Sequence, residues 1–63
     1  MEDINIALEN LTAKTKAYFT QVGDDTVEQI MVFGSRKVRG TISVVTANKE
    51  IARLLSGGFT EIA

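Results

Sequence analysis

The 63-residue sequence contains no Cys, His, Trp or Pro. Without a thiol or an imidazole there is no disulfide, no zinc centre of the ordinary structural type, and no Ser–His or Cys–His nucleophilic pair. The longest run free of polar residues and Gly, Ile30 to Phe33, is far too short to cross a bilayer. An excess of one charge is missing too: seven Lys and Arg against eight Asp and Glu give −1. Nothing in that balance demands a nucleic acid or an anionic surface. Aromatics are scarce, one Tyr and three Phe, and a chain this short needs nearly all of them for its core.

What is present is ordinary globular material. The 44% hydrophobic and 24% charged fractions predict a folded chain, and the length bounds it to one small domain, 1–63. Such a chain hides only about 60% of its unfolded surface, and small folds usually add a disulfide, a metal or an oligomer interface. With the first two excluded, homo-oligomerisation is the expected reinforcement. Glu2 and Asp3 stand where a secretory signal would be basic, so a cytoplasmic protein is expected.

Along the chain, Ile4, Leu8, Leu11, Tyr18 and Val22 follow steps of four and three, with Thr15 filling the gap. This spacing predicts a helix over about 3–22, with acidic residues towards its start and Lys14 and Lys16 later. The stripe suits either its own sheet or a copy of itself. Gly23-Asp24-Asp25 closes the helix, and a strand over about 27–33 follows on Ile-Met-Val-Phe. The same stretch also has helical spacing behind a capping-box pattern, Asp25-Thr26-Val27-Glu28. Thr41–Ala47 reads as a second strand, and Asn48 as the cap of a short helix over about 49–56. Phe59–Ala63 forms an extended tail that packs back as an edge strand or docks on a neighbouring chain. The expected fold is α+β in the order α-β-β-α, an N-terminal helix packed on a β-hairpin. The alternative is a mostly helical fold with 26–33 as a second helix.

Chemistry-bearing patterns are few. Ser35, Ser43 and Ser56 lack a base at useful spacing, so no catalytic residue is nominated and no enzyme is expected. Asp24, Asp25 and Glu28 lack the spacing of a calcium loop and suit a turn with its cap, so neither a metal nor a cofactor is expected. Phe33-Gly34-Ser35-Arg36-Lys37-Val38-Arg39-Gly40 resembles the glycine-serine turn of minimal nucleotidyltransferases. That family carries an acidic pair on the next strand, and Thr41 to Thr46 contains no acid, so the metal site that activity needs has no ligands.

The same stretch concentrates Arg36, Lys37 and Arg39 between glycines, as a basic hairpin loop 34–40. It is the candidate contact with phosphate or a partner; the bland alternative is a solvated tip that keeps the sheet soluble. Ile4, Leu8, Leu11, Tyr18, Phe59 and Ile62 are the candidate oligomer or partner contacts. The expected function is a small non-catalytic protein-interaction module or adaptor acting as a homo-oligomer. The alternative is a nucleic-acid-binding regulator gripping phosphates through the basic loop. No membrane partner is expected.

Overall fold

Residues 4–21 alternate rather than spiral. Ile4, Ile6 and Leu8 recur every second residue, and so do Thr15, Ala17 and Phe19, the period of a strand with one buried face. The structure, a computed structural model, describes residues 3–62 and shows this directly. Its elements are β1 (Asn5–Asn10), β2 (Thr15–Gln21), β3 (Thr26–Phe33), β4 (Arg36–Ser43), α1 (Val44–Ser56) and β5 (Thr60–Glu61). The strands form one antiparallel sheet in the order β4-β3-β2-β1-β5. The fold is therefore mostly β, with one helix near the C-terminus among the described residues.

The expected α-β-β-α order is overturned. Segment 3–22 is the β1–β2 hairpin, and the helix reading failed because its turn, Leu11 to Lys14, contains neither Gly nor Pro. Asn10 makes the turn instead: its Oδ1 accepts from the Ala13 N–H at 3.0 Å. Lys14 takes the left-handed conformation, φ 54°, that glycine more often supplies. Ala7, Ala13 and Ala17, which favour helix, here serve other ends. Ala17 is fully buried, on the same face of the sheet as the other buried strand residues.

The β2–β3 loop is held by Gln21, whose Nε2 donates to the Gly23 carbonyl at 3.0 Å while its Oε1 accepts from the Ile4 N–H at 3.0 Å. The expected strand at 27–33 corresponds to β3, but the supposed loop 34–40 is mostly strand. Only Gly34 and Ser35 form the turn. Gly34 has φ +63°, and Ser35 is not among the positive-φ residues, the pattern of a two-residue type II′ hairpin. The nucleotidyltransferase-like turn is thus a hairpin tip, not the entry to a phosphate-binding loop.

The second expected strand, 41–47, stops at Ser43, and the helix begins five residues before 49. Ser43, not Asn48, is the cap: its Oγ accepts from the Thr46 N–H at 3.1 Å and bonds the Thr46 hydroxyl at 2.9 Å. The β-branched run Val44-Val45-Thr46 enters the first turn because Val44, Ala47, Ile51 and Leu54 then share one apolar face. At the other end Gly58 has φ +102°, and the Phe59 N–H donates to the Leu54 carbonyl at 3.0 Å. That closure turns the chain back and seats Phe59 against the core cluster.

α1 thus runs from the end of β4 to β5, which lies on the opposite edge of the sheet, and covers one face. Between them lie Leu8, Ala17, Phe19 and Val27, each 0% exposed, with Ala47 and Leu54 from the helix side. No helix is long and apolar enough to cross a membrane among the described residues.

Candidate functional site

Because strand side chains alternate, each residue beside a core residue points away from α1. On that far face Ala7 pairs with Tyr18, Tyr18 with Ile30, and Ile30 with Arg39. The Ile62 N–H donates to the Ala7 carbonyl at 2.8 Å and extends the row past β1. The parallel row is Glu9, Lys16, Val32 and Lys37, and below lies Asn5, Thr20, Glu28 and Thr41. Ala7, Tyr18, Ile30, Val32 and Ile62 are half-buried, shielded by one another, with no layer over them among the described residues.

The charges around this stripe are unevenly placed, with acid and base both near the β4 side. Lys37 and Arg39 stand on β4, with Lys16 in the middle of the sheet, while Glu9 stands on β1 and Glu28 near one end of β3. Arg39 Nε lies 3.8 Å from Glu28 Oε2, an exposed pair that contributes little to stability. Among the described residues Arg36 and Lys37 make no ion pair. The second pair is on the helix, where Arg53 donates to Glu50 from Nε at 2.6 Å and from Nη2 at 3.1 Å. Those bonds, helped by the guanidinium's charge and opposed by slight desolvation, hold the Glu50 carboxyl below its ordinary value.

The residues nominated from sequence are scattered by this geometry. Tyr18 and Ile62 share the uncovered row. Leu8 is enclosed by its own chain and offers a partner no surface, while Ile4 and Phe59 pack against that same core. Leu11 is 77% exposed at the tip of the β1–β2 turn. Arg36, Lys37 and Arg39 belong to β4 rather than to a loop, so alternation splits them: Arg36 shares the helix side with Phe33, and Lys37 and Arg39 take the far face.

Ala7, Ile30 and Val32 were missed, although a signal existed. Ile30–Phe33 is apolar at every position, the mark of a strand covered on both faces, yet the described residues supply a single helix to cover one. The concavity at the turn end of this face, bordered by its Glu9 and Lys16, is small. A dent of about 260 Å³ beneath the β1–β2 turn, lined by Leu11, Lys14 and Thr15 among others, is smaller than the roughly 300–1,000 Å³ of ordinary ligand sites. Among the described residues no three acidic side chains cluster as a metal site would require. Compared with protein-family models, with curated proteins and with solved structures, the chain has no match. The functional reading rests on this surface alone.

Proposed function

We propose that the protein is a small non-catalytic interaction module that acts as a homo-oligomer, and that the uncovered sheet face receives the same face of a second copy. The observation that carries this is the half-buried apolar row Ile62–Ala7–Tyr18–Ile30, with Val32 beside it, left uncovered on a sheet whose other side is already filled. Burying such a row is the reinforcement a chain of this size lacks.

Two features favour a second copy as the occupant. The outer charges are complementary: a two-fold axis along β2 brings β4 of one copy over β5 of the other, setting Lys37 and Arg39 beside Glu9 on the neighbouring β1, while Lys16 falls near the axis and must extend towards the rim to avoid its own mate. The same axis lays small Ala7 against large Ile30 and Tyr18 against its own mate. The area also suffices. Five strands about 4.8 Å apart, and three residue rows about 6.8 Å apart, give a face of roughly 24 by 20 Å, or about 1,000 Å² over two copies. That reaches the lower limit of specific interfaces.

Sheet-on-sheet packing of this kind keeps the strand directions within about 30° and interdigitates the facing side chains. A cytoplasmic setting belongs to the same proposal, and a chain without thiols suits it. Light-scattering mass during gel filtration is the test. Wild type should weigh twice the 6.9 kDa chain, and Ile30→Lys, which puts a cation in the middle of the row, should weigh one chain while keeping its circular dichroism. A monomeric wild type at all concentrations overturns the proposal.

A further inference from the structure

β4 ends the sheet with nothing beside it among the described residues, although it is one of the two longest strands. From Arg36 through Thr41 every residue is exposed. The two-residue turn makes Phe33 and Arg36 the hydrogen-bonded closing pair, so alternation turns the N–H and C=O groups of Lys37, Arg39 and Thr41 outward. Such a row of unpaired groups is a template for another strand. We infer that the outer edge of β4 accepts an acidic extended segment of a partner protein as a sixth strand, with acidic and apolar residues alternating along it.

Charge selects the occupant. β4 carries Arg36, Lys37 and Arg39 and no acid. A second β4 paired antiparallel would bring these cations together, and like charges facing across strands destabilise a sheet. An acidic strand reverses the sign of that interaction. Register selects the pattern. On the far face the incoming strand passes Lys37 and Arg39, two residues apart, so its acidic side chains must recur at every second position. On the helix side it passes Arg36 at the turn end, then Val38, 47% exposed, and Gly40, where a Cβ would meet nothing within 4 Å. That free space suits apolar side chains at the intervening positions.

The backbone edge of β4 lies outside the docking face proposed above, but Lys37 and Arg39 border both, so the Glu9 of a second copy and the acidic side chains of the client draw on the same two cations. Duplex or single-stranded nucleic acid fits less well. Its phosphates would need the cations on one side, whereas Arg36 is opposite Lys37 and Arg39, and Glu28 and Glu9 share the face of the latter two.

The test is fluorescence anisotropy with labelled eight-residue peptides and the full chain. A peptide alternating Glu and Val is expected to bind at least tenfold more tightly than a block peptide of the same composition and than one alternating Lys and Val. N-methylation of alternate amides on one edge of the peptide should cost tenfold or more, because it removes backbone pairing and leaves charge intact. The double variant Lys37→Glu, Arg39→Glu should reverse the preference towards the Lys–Val peptide, and Ile30→Lys, which breaks the pairing of copies but adds a cation beside Arg39, should not weaken Glu–Val binding. Equal binding of the block and alternating peptides would overturn the inference in favour of unspecific charge attraction. So would an oligothymidylate that binds where the Glu–Val peptide does not.

Discussion

Tyr18 and Phe19 are neighbours in sequence whose truncations should differ in cost by several kcal/mol. Phe19 is 0% exposed and among the largest fully buried side chains, so Phe19→Ala leaves a cavity beneath α1 and should cost about 3–5 kcal/mol. At roughly 0.05–0.15 kcal/mol per residue, the whole 63-residue chain is stable by only about 3–9 kcal/mol. Phe19→Ala should therefore leave a large unfolded fraction in buffer. Tyr18 lies on the uncovered face, where it loses only its cross-strand neighbours Ala7 and Ile30, so Tyr18→Ala should cost about 1 kcal/mol in the monomer. Urea unfolding followed by circular dichroism, at dilutions where the chain is monomeric, measures both. A helix over 3–22 would reverse the order, because Tyr18 would then lie on the buried stripe and Phe19 beside it. A larger loss for Tyr18→Ala than for Phe19→Ala refutes the strand register on which the site rests.

Ser43→Ala removes the oxygen that accepts from the Thr46 N–H and should cost about 0.5–2 kcal/mol, read as a lower urea midpoint. Gly34→Val meets no atom within 4 Å but must hold φ +63°, so about 1–2 kcal/mol of strain should appear in the same assay, and Ser35→Val should show far less. The Glu50 carboxyl is held below its ordinary value of 4.5 first by its hydrogen bonds from Arg53. Its small stabilisation is thus complete above about pH 4.5 and is lost as pH falls through the lowered value. Glu50→Gln should remove that part of the acid dependence of unfolding, and an unchanged profile would contradict it.

Legibility of the fold followed the turn chemistry. Where glycine marked a turn, at Gly34 and at Gly57-Gly58, an element boundary was readable within a residue or two. Where a side chain made the turn, at Asn10 and Lys14, it was not, and a fortuitous seven-residue rhythm through Leu8, Leu11 and Tyr18 took its place. Thr41 to Thr46 misled in the opposite direction. Its β-branched residues favour strand locally, but Ser43 caps a helix whose Val44, Ala47, Ile51 and Leu54 have an apolar surface to cover.

The candidate site was half legible for the same reason. Arg36, Lys37 and Arg39 stood out as a cluster, but only the strand period reveals that they face two ways. Tyr18 and Ile62 were nominated as helix and tail residues, yet they meet in one row across β1 because the chain returns after α1 to the far edge of the sheet.

That a second copy covers the face opposite α1 is the central proposal. Isotope-filtered nuclear Overhauser spectra of an equal mixture of labelled and unlabelled chains test it most directly, since they record only contacts between copies. The predicted result is a set of intermolecular contacts from the Tyr18 ring to its mate and between Ala7 and Ile30, with Phe19 and Leu54 silent. Contacts confined to Phe33, Val38 and Leu55 on the helix side, or no contacts at concentrations where the mass is that of one chain, would contradict it.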